Sequence, residues 1–161
     1  MTVEAVRAFL ARHAPDLQVV ELEASTATVE MAARGHGVAP AQIAKTLSLR
    51  IKDRTLLIVT SGDARLNNRK IKDALGGKPR MLAADEVVAL TGHPVGGVCP
   101  FGLATPLPVY CDLSLKEFDE VVPAAGSTNS AVRIAPDRMA ALVSAEWIDV
   151  CDRPGTATEP S

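Results

Sequence analysis

Apolar and polar positions change period several times along this chain. Val3, Val6, Phe9 and Leu10 recur at spacings of three and four, one face of a helix, and Ala14–Pro15 ends it because a residue before proline avoids the helical region. "LQVVEL" reads as a short strand. "STATVEMAARGHG" opens on hydroxyl residues able to cap a helix and closes on glycines able to stop one, which predicts a helix from Thr28 to about His36. In "AQIAKTLSLRIKDRTLLIVT" two apolar, β-branched runs flank "KDR", a hairpin whose turn lacks the favoured glycine. "NNRKIKDALGG" predicts a capped helix with a glycine stop, "KPRML" a strand and "AADEVVALTG" another helix. "TPLPVYCD", "FDEVVPAAG" and "SAVRIAP" follow as strands, "PDRMAALVSA" as a helix with proline in its first turn, and "WIDVC" as a closing strand.

Strands and helices mix without regular strand-helix-strand alternation. A mixed α/β fold is expected, a curved mixed sheet or partial barrel flanked by helices. With 161 residues, 47% of them hydrophobic, the chain can close one core, so a single compact domain over residues 1–152 is expected, followed by a small, polar, proline-rich tail at 153–161. A net charge of −2 with 22% charged residues excludes a disordered chain and a surface coated in basic charge. No apolar run approaches the roughly 20 residues that cross a bilayer, and the first residues carry charges throughout, which points to a soluble protein without a membrane partner. Cys99, Cys111 and Cys151 are an odd number without paired spacing, as in a reducing cytoplasm.

Candidate chemistry starts at "GHPVGGVCPFG", residues 92–102, where four glycines and two prolines fall in eleven positions. Glycines let a backbone point several N–H groups at one oxygen, so the loop could bind a carbonyl or phosphate; as it matches neither G-x-G-x-x-G nor a phosphate loop, a plain tight connection stands equally. Cys99 with His93 as its base is a candidate nucleophile, set against a small buried thiol. The three histidines and three cysteines show no zinc spacing. Lys45 in "IAKTLSL" precedes an apolar run, which puts its ammonium at the mouth of the core, either with a function or snorkelling to water. Arg65, Arg69 and Lys72, spaced by four and three, would share one helix face that could track phosphates, or form a solvated face.

Taken in order, "AQIAKTL", "TGHPVGGVCPFG" and "AAGSTNSAVRIAP" resemble the YbaK/ProX family, and "STNSAVRI" is similar to its YbaK/EbsC members. These are domains related to the editing insertion of bacterial prolyl-tRNA synthetase. The likeness runs from the opening helix to "WIDVC". The G-x-x-x-P loop of the family is here Gly96, Gly97, Val98, Cys99 and Pro100.

The resemblance implies a free-standing hydrolase that removes a wrongly attached amino acid from tRNA, with no metal and no cofactor. By carry-over Lys45 holds the terminal adenosine or its phosphate and the substrate carbonyl, and Gly96 and Gly97 grip that carbonyl through their N–H groups. Thr28, Thr46, Val98, Cys99, Pro100, Gly126, Ser127 and Asn129 would shape the pocket, and Arg65, Arg69 and Lys72 would meet the tRNA. Some relatives that remove cysteine carry a bulky aromatic near Thr28, and threonine there alters the pocket wall, so alanine, serine, threonine and cysteine all stay open. The implied partners are mischarged tRNA and an aminoacyl-tRNA synthetase. Two other readings are a tRNA- or synthetase-binding module of the same fold without hydrolysis, and a thiol hydrolase using Cys99.

Overall fold

Nine apolar-rich residues, a two-residue turn and eight more make the central hairpin: β2 (Ile43–Ile51) pairs antiparallel with β3 (Arg54–Ser61) in unbroken register from Ala44↔Ser61 to Ile51↔Arg54. Lys52 takes the left-handed conformation (φ 55°) at the turn, so the hairpin closes without glycine. "LLIVT" does not alternate because both faces of the sheet are covered. On one face Ala44, Leu57 and Val59 pack with Phe101, Leu10 and Met139; on the other Leu49, Ile51, Leu56 and Ile58 pack with Ile71.

The computed structural model describes residues 2–152, and the tail expected at 153–161 lies outside them. The elements run α1 (Thr2–His13), β1 (Val20–Glu21), α2 (Val29–His36), β2, β3, β4 (Arg65–Leu66), α3 (Asn68–Leu75), β5 (Pro79–Met81), α4 (Ala84–Thr91), β6 (Val109–Asp112), β7 (Val122–Pro123), β8 (Ser130–Ala131), α5 (Pro136–Leu142), β9 (Glu146–Ile148) and β10 (Cys151–Asp152). The main sheet has the order β5-β2-β3-β6-β9, with β7 also against β2; β5 is antiparallel to β2, while β7, β6 and β9 join in parallel. Two small antiparallel pairs, β1–β8 and β4–β10, sit outside it. This is the mixed α/β architecture expected, an open sheet rather than a closed barrel.

Local signals set the helix ends. Thr28 caps α2 by accepting the Met31 N–H at 3.1 Å, Asn67 caps α3 by accepting the Lys70 N–H at 3.0 Å, and Gly37, Gly76 and Gly92 close α2, α3 and α4 in the left-handed region. Two expectations need correction. "WIDVC" is two strands, because the Val150 N–H is drawn to the buried Asp112 carboxylate at 2.8 Å and its carbonyl accepts from Asn67, so β9 joins β6 while β10 crosses to β4. Arg65 is in β4 and not on the helix with Arg69 and Lys72.

Candidate functional site

The outer edge of β2 is paired twice, with β7 over Ile43–Ala44 and with β5 over Leu49–Ile51, and is open between. Against this opening lies a cavity of about 270 Å³ whose wall is largely apolar and includes Thr28, Lys45, Thr46, Gly96, Val98 and Ser130. α2 forms one side of the cavity through Val29, Ala32 and His36, and the 92–102 loop another.

Lys45 is half-buried, and its Nζ donates to the Gly62 carbonyl at 3.1 Å and the Ala64 carbonyl at 2.7 Å. Those two bonds fix the head of the chain and use two of its three donors. Burial holds the ammonium below the ordinary lysine range, while the charges of Asp63 and Glu30 pull it back up. It is a fixed cation on the cavity wall.

The glycine loop divides its labour. Gly96 has φ +91°, and a Cβ there would come within 2.9 Å of the Ala27 Cβ, so only glycine lets the loop approach the start of α2 this closely. Among the described residues the N–H groups of Gly96 and Val98 meet no acceptor, and both residues line the cavity. Gly97 does something else: its N–H donates to the Pro94 carbonyl at 2.9 Å and its carbonyl accepts the Gly126 N–H at 3.0 Å. It is the point where two loops lock, and its amide is spent on the fold rather than turned to a ligand.

Cys99 and Pro100 are buried behind this wall and do not line the cavity. The Cys99 Sγ lies 3.7 Å from His93 Nε2, but that nitrogen is 2.8 Å from the Phe101 carbonyl, which can only accept. Nε2 therefore carries the proton and cannot take one from the thiol. Burial pushes the Cys99 thiol up to about 12. The geometry offers no nucleophile–base pair here, which removes the thiol-hydrolase reading.

The second loop supports the site. Ser127 Oγ donates to Asn129 Oδ1 at 2.8 Å and lies 2.6 Å from Ser130 Oγ, and Asn129 Nδ2 donates to the Leu22 carbonyl at 2.8 Å. Gly126, Ser127 and Asn129 thus stand behind the wall and hold Ser130 on it. The sequence reading missed Ser130, His36 and the apolar pair Leu82 and Val87, all on the cavity; nothing in "KPRML" or "ADEVVALT" marks the last two, since the pairing of β5 with β2 brings Leu82 there and the helix that follows brings Val87. Burial, helped by Arg133, lowers the His36 imidazole below its usual range. Arg65, Arg69 and Lys72 are exposed on β4 and α3, away from the cavity wall. Among the described residues no cluster of His, Cys, Asp or Glu could hold a metal ion, and no helix is long and apolar enough to cross a membrane.

Residues 23–142 match the family described as the aminoacyl-tRNA editing domain. The chain is 46% identical over 153 residues to the protein YwhH of Bacillus subtilis (strain 168), covering 94% of this chain and 98% of that one. It is 25% identical over 125 residues to EbsC of Enterococcus faecalis (strain ATCC 700802 / V583), a candidate Cys-tRNA(Pro)/Cys-tRNA(Cys) deacylase, covering 76% of each. A crystal structure described as a candidate trans-editing enzyme for prolyl tRNA synthetase superposes with a TM-score of 0.87 at 36% identity, over 94% of this chain and 97% of that one.

Proposed function

The chain belongs to the aminoacyl-tRNA editing domain family, whose members are aminoacyl-tRNA deacylases, and from that premise we propose that it removes a small amino acid, of the alanine, serine, threonine and cysteine class, from mischarged tRNA in trans. The observation that supports this reading is one cavity lined by Lys45, whose ammonium is fixed, and by Gly96 and Val98, whose amides meet no acceptor among the described residues. An aminoacyl ester is already reactive. Attack by water, positioned by the protein or by a hydroxyl of the terminal ribose, turns the acyl carbon tetrahedral and puts negative charge on the former carbonyl oxygen; collapse then breaks the bond to the esterified ribose oxygen, which takes a proton. Free amino acid and intact tRNA leave.

The chain's contribution is to position the ester and to meet the growing negative charge with donors held ready, each worth on the order of 3 kcal/mol. The third Lys45 donor and the two loop amides take that role. The largely apolar wall fits a small side chain, and differences of one methylene discriminate by only about 1 to 3 kcal/mol, so small changes in this wall set preference. Arg65, Arg69 and Lys72 supply a modest basic patch for the tRNA body, and a synthetase, prolyl-tRNA synthetase foremost, is the natural partner in the cytoplasm.

Purified protein incubated with a panel of tRNAs mischarged with alanine, serine, threonine and cysteine tests this. The expected result is release from at least one, abolished by Lys45→Ala and largely spared by Cys99→Ala. No release from any member of the panel overturns the proposal in favour of a tRNA- or synthetase-binding module.

A further inference from the structure

Successive residues of a strand direct their N–H and C=O groups to opposite edges. On β2 the Ser48 carbonyl accepts the Leu82 N–H at 3.1 Å, so the even-numbered residues face the outer edge and the odd-numbered ones bond to β3. Along that outer edge Ala44 lies against Pro123 of β7, and Arg50 lies against Arg80 of β5. Thr46 lies between them with no strand opposite. Among the described residues its N–H and C=O have no partner, its Oγ1 is buried without one, and the residue lines the cavity. The outer ladder is interrupted at the cavity over both groups of Thr46 and the N–H of Ser48, whose carbonyl alone reaches Leu82.

We infer that the aminoacyl group of the substrate occupies this gap as the missing rung: its α-ammonium donates to the Thr46 carbonyl, and its acyl oxygen accepts the Thr46 N–H. The inference rests on the deacylase reading above. In an antiparallel hydrogen-bonded pair two residues exchange both bonds, and the N–Cα–C=O unit of an aminoacyl ester has the donor and acceptor of one peptide residue at the same spacing. It lacks the next amide nitrogen, because the ester oxygen stands there. A single aminoacyl group therefore matches a gap one residue wide, bounded by β7 on one side and β5 on the other, whereas a longer peptide would meet those strands. The contact engages what all amino acids share. It separates aminoacyl esters from simple acyl esters and leaves the choice of side chain to the rest of the wall.

The test uses the whole protein and three esters on tRNA that share the side chain cleaved fastest in the panel: the L-aminoacyl ester, its α-hydroxy counterpart, which keeps a donor, and its des-amino counterpart, which has none. Each kcat/KM is divided by that ester's uncatalysed hydrolysis rate. The des-amino ester is expected to fall about 10- to 100-fold below the aminoacyl ester, the size of a lost hydrogen bond from a charged group, with the α-hydroxy ester between. In a second arm Thr46 is replaced by its α-hydroxy acid, so that its N–H becomes an ester oxygen. This N–H bonds to nothing in the free protein, while the Lys45 carbonyl, now that of an ester, accepts less strongly from β3; the melting temperature is expected to fall slightly with the fold retained, and kcat/KM to fall about 2- to 10-fold. Equal normalised rates for the aminoacyl and des-amino esters, or an unchanged kcat/KM in the second arm, overturn the rung while leaving the deacylase reading intact. Failure to cleave any ester of the panel overturns that reading, and the rung with it.

Discussion

Gly97→Ala separates the two jobs of the glycine loop. Gly97 has no positive φ, so alanine meets no conformational penalty there, and its whole cost is steric. The added Cβ would lie 2.7 Å from the Ser127 carbonyl carbon and 2.8 Å from its nitrogen and oxygen, all main-chain atoms that cannot swing aside. Restoring an ordinary 3.4 Å contact requires the two loops to part by about 0.6 to 0.7 Å, against the Gly126 N–H bond that holds them. Overpacking of this kind costs about 1 to 3 kcal/mol, which in a protein of this size lowers the melting temperature by roughly 2 to 12 °C. The larger effect falls on catalysis, since the same shift displaces the neighbouring Gly96 and Val98 amides, and a misplacement near 1 Å can cost about 100-fold. Deacylation of the best panel substrate is the assay, beside a thermal melt. Gly76→Ala is the comparison: φ is +85°, nothing lies within 4 Å of its Cβ, and it stands at the end of α3 away from the cavity, so it loses about 1 kcal/mol of stability with no loss of rate. A Gly97→Ala protein that keeps kcat/KM within about twofold of the parent refutes the reasoning, because it shows that the amides need not be held where the Ser127 contact puts them.

Acid should weaken the fold in two steps. Burial depresses His36 and His93 below the unfolded value of 6.5, so the stability they contribute is complete above that pH and is lost as pH falls through the depressed values; urea unfolding from pH 7.5 to 5 shows this decline, and His93→Gln flattens it. Asp16, paired with Arg138, and Glu86, paired with Arg50, are likewise depressed, so their contribution is present above the ordinary carboxylate range and disappears on further acidification. Replacing Arg65, Arg69 and Lys72 together by alanine is expected to raise KM for tRNA and to flatten its dependence on salt, by about 0.7 to 0.9 in log–log slope for each phosphate no longer neutralised; an unchanged slope places the tRNA elsewhere. Phe101 is fully buried with its ring 5.8 Å from that of Phe9, and Phe101→Ala is expected to cost about 3 to 5 kcal/mol in chemical denaturation.

Most of the elements were legible because their causes are local. The Thr28 cap, the Asn67 cap and the glycine stops act within one turn of helix, and the hairpin around "KDR" follows from two adjacent apolar runs. Lys45 and the glycine loop stood out for a similar reason, as a charge and a flexible stretch set against apolar surroundings. Failures came where a distant residue decides the outcome. "WIDVC" has the composition of one strand, and it splits only because Asp112, 38 positions earlier, captures the Val150 N–H.

What the sequence by itself determined is the set of short elements, the mixed class they belong to and the two chemical features of the site, since period, caps and turn residues act between near neighbours. The tertiary structure alone decided which of those features are left free to meet a ligand. It left the Gly96 and Val98 amides without an acceptor in residues that line a cavity, spent that of Gly97 on Pro94 within its own loop, disarmed Cys99 by committing His93 to a carbonyl, and left the outer N–H and C=O of Thr46 unmet between strands that start 33 and 76 residues further on. Hydrogen-bond capacity is fixed by residue type, but whether a group is left over for a substrate depends on every other group folded against it.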